Sequence, residues 1–367
     1  MECIRILHMI GSLEIGGSQA MVMNIYRNIE REKIQFDFIV DSSNEQYFAD
    51  EIKQLGGKIY SMPNFKGTNL FEIKKKWNRF FIEHPEYKIL HSHVRSYASI
   101  YLPIAKKHGV KTIIHSHSTS NGSGMSALVK AVLQYPLRYQ ADYFFGCSKK
   151  SGEWLFGSKV VNSNSFYVVK NGIDVDRFLF NRIERNKIRE QLRISETTLV
   201  IGHVGRFIEA KNHDFLIDLF AELKVKKRDS KLLLVGDGKL RKHIKKKCKD
   251  LKIEDDVIFV GNQSNTEMYY SAMDMFCFPS LWEGLGIAVI EAQTSGLRCF
   301  ISKNIPDEVD MGLNLVTRLD LNNNEEWIDK MSKSVDYNRF VDRKIIRNSG
   351  YDISENTEMV QKFYLEI

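Results

Sequence analysis

The stretch Met275-Phe276-Cys277-Phe278-Pro279-Ser280-Leu281-Trp282-Glu283-Gly284-Leu285-Gly286-Ile287-Ala288-Val289-Ile290-Glu291-Ala292 reads as a strand, a loop and a helix. The first four residues are apolar with no polar alternation. That pattern belongs to a strand buried on both faces, as in the interior of a parallel sheet. A proline closes the strand, two glycines punctuate the loop, and the apolar run that follows continues as a helix. Working outward, the same unit recurs. Short apolar runs at 4–10, 36–40, 89–91, 112–115, 143–147 and 166–169 are separated by helical patterns, and so are those at 199–204, 232–235, 257–260, 275–278 and 299–302. Alternating strands and helices imply an α/β architecture. The strand count in each half predicts two doubly wound domains. The turn dipeptide Asn171-Gly172 marks the boundary between residues 1–170 and 171–350, and 351–367 reads as one more helix.

The composition agrees. A chain of 367 residues with 43% hydrophobic content fits two globular cores. It contains no apolar run near the ~20 residues needed to span a bilayer. The start, Met1-Glu2-Cys3-Ile4-Arg5, has no signal-peptide features, so a cytoplasmic chain is expected. Cys3, Cys147, Cys248, Cys277 and Cys299 form no CxxC pair, which points to buried thiols and away from a disulfide framework or zinc knuckle. The net charge of +7 suits anionic partners without choosing among them.

In open parallel sheets ligands bind beyond the carboxyl ends of the strands, so the loops there carry the candidates. Gly205-Arg206-Phe207-Ile208-Glu209-Ala210-Lys211 follows a strand and precedes a helix. Two cations at a helix N-terminus oppose the helix dipole, and a bound anion would offset that conflict. The competing reading is a pair of solvated surface cations. Gly236-Asp237-Gly238 is either a phosphate-approach loop or a simple strand-to-helix turn. Gly284 and Gly286 flank the expected helix start, where free amides can face an anion. Glu283 in the loop and Glu291 in the helix suit contacts to two parts of one extended ligand, because carboxylates accept strong hydrogen bonds from sugar hydroxyls. Glu291 sits among Ile287, Val289, Ile290 and Ala292, an environment costly for a carboxylate without a partner.

Glu283-Gly284-Leu285-Gly286 through Glu291-Ala292 resembles the E-x7-E element of retaining glycosyltransferases with the GT-B fold, and more narrowly family 4, or group 1, in its capsular and exopolysaccharide branch. The other landmarks recur in order: Gly16-Gly17, paired histidines, Asn171-Gly172-Ile173-Asp174, Gly205-Arg206 with Lys211, Gly236-Asp237-Gly238 and Pro279-Ser280. The resemblance implies two Rossmann-like domains facing a cleft, with the last helix packing back on the first, and transfer of a sugar, with retention, from a nucleotide diphosphate sugar (a UDP-sugar above all) to a glycan or lipid-linked acceptor. It assigns Arg206 and Lys211 to the diphosphate and the leaving charge, Glu283 to the transferred sugar and Glu291 to the ribose. Gly16, Gly17, Gly205, Gly236, Gly284, Gly286 and Ile287 would line the donor. His117 would lie near the sugar's 6-hydroxyl, with His115 as the near alternative and Asn171 as a further candidate. No cofactor or metal is implied, no suitably placed DxD element is present, and no nucleic-acid partner is expected.

Two pairs, His91-Ser92-His93 and His115-Ser116-His117, follow strands and are expected at the carboxyl edge. They keep a metal-dependent hydrolase open as an alternative, since imidazole is a common metal ligand, and for His91 the competing reading is a structural histidine in a polar cleft. A sugar-nucleotide 2-epimerase, which shares the two-domain plan, and a non-catalytic nucleotide-sugar binder stay open as well. The position two residues past Gly17, often acidic in the family, is Gln19. The basic, aromatic segment 70–81 is a candidate for peripheral contact with the inner face of the membrane; the competing reading is an ordinary helix with core aromatics and a solvated basic face.

Overall fold

The computed structural model describes residues 3–14, 16–41, 47–117, 125–334 and 338–367, without the side chains of 125–127. The chain divides into two compact units, Met1–Gly172 together with Ile353–Ile367, and Ile173–Asp352. The crossing at Gly172–Ile173 lies two residues past the expected boundary, and the chain returns to the first unit at Asp352–Ile353.

In the first unit the strands are β1 (Ile4–Gly11), β2 (Ile34–Val40), β3 (Ile59–Ser61), β4 (Ile89–Ser92), β5 (Lys111–Ser116), β6 (Tyr143–Gly146) and β7 (Phe166–Val168). They form one sheet in the order β3-β2-β1-β4-β5-β6-β7, and all pairings are parallel. The last helix, Ile353–Glu366, packs into this unit through Val360, Phe363 and Tyr364, beside Met21, Ile25 and Phe36. In the second unit β8 (Leu199–Val204), β9 (Ser230–Val235), β10 (Val257–Gly261), β11 (Met275–Phe278), β12 (Arg298–Ser302) and β13 (Val316–Leu319) form a parallel sheet in the order β10-β9-β8-β11-β12-β13.

The unbroken apolar runs have a direct cause. In β8, Leu199 and Ile201 point into one core while Val200 points into another, so both faces are covered. Two strands escaped the sequence pattern, β3 and β13. Both are edge strands: β3 has only three residues, and β13 carries Arg318, whose guanidinium donates to the carbonyls of Ile305 and Pro306. An edge strand with one free side has no need of a continuous apolar sequence.

Strand order reverses between β1 and β4 in the first sheet and between β8 and β11 in the second. At such a switch point the two loops leave in opposite directions and open a crevice. The β8 and β11 loops are the two that the sequence singled out.

Candidate functional site

The β8 loop runs through a 3-10 turn, Glu209–Lys211, to Asn212 and the helix His213–Lys226. The β11 loop runs from Pro279 to Gly286 and opens the helix Ile287–Thr294. Their backbones are tied together: the Leu281 amide donates to the Ala210 carbonyl at 2.8 Å, and Asn212 Nδ2 donates to the Pro279 carbonyl at 3.2 Å. Across this tie Lys211 Nζ donates to Glu283 Oε1 at 2.5 Å. Both side chains are mostly buried, at 16% and 13% exposure, and the ammonium lies 4.6 Å from the Phe278 ring centroid. Lys211 is therefore not the solvated cation of the competing reading. Arg206 is exposed and forms no ion pair with a described residue.

Gly284 and Gly286 both precede the helix, so they do not flank its start as expected. Gly286 is the residue before the first turn and has φ +98, a conformation that favours glycine. Ile287, the first helical residue, is partly buried. The partner that Glu291 requires is Tyr270, whose Oη donates to Glu291 Oε2 at 2.8 Å. Burial pushes the Glu291 carboxyl up to about 7, against the opposing effect of the Tyr270 hydrogen bond. Gly205 packs against His203 and Lys211, and its amide donates to the Val235 carbonyl at 2.9 Å. Gly236 sits directly beneath it. His203 gave no sequence signal. It is buried under this loop, with Nδ1 on the Cys277 carbonyl and Nε2 without a partner among the described residues.

In the first unit Gly16 and Gly17 open the helix Gly17–Asn28. Gln19 braces the same loop, accepting from Ser18 Oγ and donating to the Ser12 carbonyl. Asn171 is partly buried, with Oδ1 unpaired among the described residues.

The histidine pairs differ from expectation. His91 and His115 lie inside β4 and β5 and are almost wholly buried; only His93 and His117 reach past the strand ends. The i, i+2 spacing puts each pair on one sheet face, with ring centroids 4.4 Å apart for His91 and His93 and 4.0 Å for His115 and His117. A fifth ring, His8 of β1, joins them because parallel register sets it opposite His91. His8 Nδ1 lies 3.0 Å from His93 Nε2, and His93 Nδ1 lies 2.8 Å from His117 Nε2. Burial lowers His8 and His117 to about 3 and the other three well below the usual range, so all five rings are neutral near pH 7. Each neutral ring has one donor and one acceptor nitrogen, so the tautomers along His8, His93 and His117 are linked. Two triads, His8/His91/His93 and His93/His115/His117, have ligand atoms within 4.8 Å of one another.

The helix Leu70–Glu83 turns Ile73, Trp77, Phe80 and Phe81 into the core and leaves Lys74, Lys75 and Lys76 in solvent. Its aromatics, which suggested a membrane face, are mainly core residues; Phe71 is the exposed exception. No helix among the described residues is long and apolar enough to cross a membrane. Cys147, Cys248, Cys277 and Cys299 are buried and free, and Cys3 is partly buried and free.

Comparisons with known proteins identify the family and the fold. Residues 184–336 match the model of glycosyl transferases group 1, and residues 15–177 match that of glycosyltransferase family 4. The chain is 31% identical to the putative glycosyltransferase EpsF of Bacillus subtilis, over 98% of this chain and 96% of that one. It is 22% identical to an Escherichia coli UDP-Gal:alpha-D-GlcNAc-diphosphoundecaprenol alpha-1,3-galactosyltransferase, over 99% and 97%. It is also 22% identical to the capsular polysaccharide biosynthesis glycosyltransferase CapH of Staphylococcus aureus, over 84% and 83%. Among solved structures, Anabaena Alr3699/HepE in complex with UDP and glucose superposes with a TM-score of 0.76 at 17% identity, covering 99% of this chain and 100% of that one. A likeness at that identity shows the shared fold.

Proposed function

This chain belongs to the group 1 glycosyltransferases of GT-B fold, and on that premise we propose that it transfers a sugar from a UDP-sugar, with retention, to a lipid-linked or glycan acceptor in surface-polysaccharide assembly. The observation that carries the reading is the Lys211–Glu283 pair held at the β8/β11 switch point, with Arg206, which ion-pairs with no described residue, in the same β8 loop. A diphosphate entering there would share the Lys211 ammonium and recruit the free guanidinium. Two cations on the departing UDP would supply the charge stabilisation that a metal supplies in other transferases, and we propose that no metal takes part. Glu283, once it shares Lys211, can accept from a sugar hydroxyl. For His117 the assigned role is a hydrogen bond to the transferred sugar, which a neutral imidazole can donate or accept.

UDP-sugars, screened as a panel, are expected to raise the melting temperature, and a chelator should leave the transfer rate unchanged. The product anomer, read by NMR, should keep the donor's configuration, and reactions without acceptor should return the donor sugar unepimerised. Absence of stabilisation by any UDP-, GDP- or ADP-sugar would overturn the reading. An inverted product would remove only the claim of retention.

Glu291 adds a pH signature. Its folded carboxyl titrates near 7, and the ionised form is the better acceptor for ribose hydroxyls. Below pH 7 binding must first remove a proton, so donor affinity should rise from pH 6 to pH 8, by up to about tenfold. Glu291→Gln should flatten that profile. The dissociation constant of a UDP-sugar, whose diphosphate holds its charge over this range, is the quantity to follow. A wild-type profile as flat as the variant's would remove Glu291 from the ribose.

A further inference from the structure

The histidines of the first unit carry more unpaired nitrogen than a hydrogen-bond chain explains. Five of their ring nitrogens are buried without a partner among the described residues: Nε2 of His8 and His91, Nδ1 of His117 and both nitrogens of His115. The chain through His8, His93 and His117 occupies three rings and leaves His115, which is 0% exposed, with nothing to bond. A buried imidazole always has a donor or an acceptor to satisfy, and an orphan is costly, so a cluster with this many orphans points to a missing ligand.

Register explains where His115 sits. The β4–β5 ladder ends with Ser92 opposite Ile114, so the next pair is His93 and His115. The His115 and His117 ring centroids are 4.0 Å apart, and His93 Nδ1 lies 2.8 Å from His117 Nε2. One nitrogen from each of His93, His115 and His117 falls within 4.8 Å of the other two. A tetrahedral ion with metal–nitrogen bonds of ~2.0–2.1 Å holds its ligand nitrogens about 3.3 Å apart. The close pair therefore has to open slightly and the third ring to move in. His93 and His117 reach past the strand ends and are partly buried, so an ion can enter from the carboxyl edge and keep a water as its fourth ligand.

The deeper triad of His8, His91 and His93 is the poorer site. Its rings line an enclosed cavity of about 10 Å³ walled by Met21, Val22, Phe36 and Val360, and His91 Nδ1 is already bonded to Tyr364 Oη. A divalent charge there would have neither water nor a counter-charge. Neither triad includes a carboxylate. Imidazole alone favours zinc, cobalt, nickel or copper over magnesium and calcium, which require oxygen ligands.

We propose that His93, His115 and His117 bind one divalent transition-metal ion of the zinc class, and that the bound ion inhibits transfer because it takes the ring assigned to the sugar. The binding stands apart from the glycosyltransferase reading, and the inhibition rests on it. The ligands are neutral and the charge of Arg95 opposes a cation at His117, so an affinity on the order of 1 μM is expected.

The test uses the full chain freed of metal, with zinc and cobalt as probes. By calorimetry wild type should bind a zinc ion that His115→Gln and His117→Gln each weaken at least about 100-fold, beyond the usual loss for an outer-shell partner. His8→Gln, which removes a ligand from the deeper triad alone, should keep that ion. Melting of the metal-free variants checks that they fold. Cobalt bound to wild type should show the intense visible absorption of a four-coordinate site, a readout that needs no variant. Zinc should slow transfer over the concentration range in which it binds, and a chelator should restore the rate of the metal-free protein. Zinc that binds wild type and both ligand variants equally is held by surface histidines and overturns the proposal. So does a pale, six-coordinate cobalt spectrum, or an ion lost in His8→Gln and kept in His115→Gln. Binding at the triad without slower transfer overturns the inhibition. Stabilisation of the metal-free protein by UDP-sugars is measured alongside, and its absence fails the glycosyltransferase reading while leaving the zinc result standing.

Discussion

Lys211→Ala is expected to slow sugar transfer by about 10²- to 10³-fold at saturating donor, with the protein still folded. Lys211 is one of two cations placed where the diphosphate is proposed to lie, and the only one held rigidly. Its ammonium is fixed between Glu283 Oε1 and the Phe278 ring, with 16% of the side chain exposed. A preorganised cation stabilises leaving-group charge without the reorganisation that a solvated one must undergo. Truncation also leaves Glu283, itself largely buried, without its cation, so the carboxylate should withdraw toward solvent. Arg206→Ala removes an exposed, unpaired guanidinium and should cost less, about tenfold. Lys211→Arg should not fully rescue, because the bulkier guanidinium cannot place its charge at the ammonium's position in this mostly buried pocket beside Glu283. Single-turnover rates for the three variants supply the check. Normal transfer in Lys211→Ala would refute the assigned site, and equal losses in Lys211→Ala and Arg206→Ala would refute the argument from rigidity.

The parts of the two units' candidate sites that could be read in the sequence are those in which one local segment carries the signal. The strand-loop-helix unit at 275–292 and the Gly-Arg loop after β8 are of that kind, because a buried parallel strand writes itself as an apolar run and its loop follows directly. What could not be read depends on register or on approach through space. His8 is a lone histidine in an apolar strand, and only the pairing of β1 with β4 sets it opposite His91. Tyr270 lies 21 positions before Glu291 in a helix with no motif of its own, yet it supplies the hydrogen bond that the buried carboxylate needs. The interior position of His91 and His115 was missed for a related reason. Alternation puts both histidines of a pair on one face, but the sequence does not show how far each strand runs before it ends.

Gly236→Ala is expected to destabilise the second unit by about 3 kcal/mol or more and to abolish stabilisation by the donor. The sequence left Gly236-Asp237-Gly238 open between a phosphate loop and a plain turn. Geometry gives Gly236 a more specific task. Its φ is +129, and a Cβ there would lie 2.1 Å from the Gly205 carbonyl oxygen, a backbone atom that cannot swing aside as a side chain can. The ladder between the two strands continues past their ends: Gly205 donates to the Val235 carbonyl and Phe207 to the Asp237 carbonyl, both at 2.9 Å. Forcing Gly236 away would break this extension and displace the loop that carries Arg206 and Lys211. The loss of stability should lower the melting temperature by about 6–12 °C, at roughly 2–4 °C per kcal/mol for a unit of this size. Gly261→Ala is the control. It also has positive φ, at +75, but a Cβ there meets nothing within 4 Å, so only the backbone term of about 1 kcal/mol should appear and donor stabilisation should persist. If both variants melt alike, close approach is not what Gly236 provides. If Gly236→Ala is destabilised yet still gains its full stability from a UDP-sugar, the loop tolerates the displacement, and Gly236 supports the sheet without shaping the donor site.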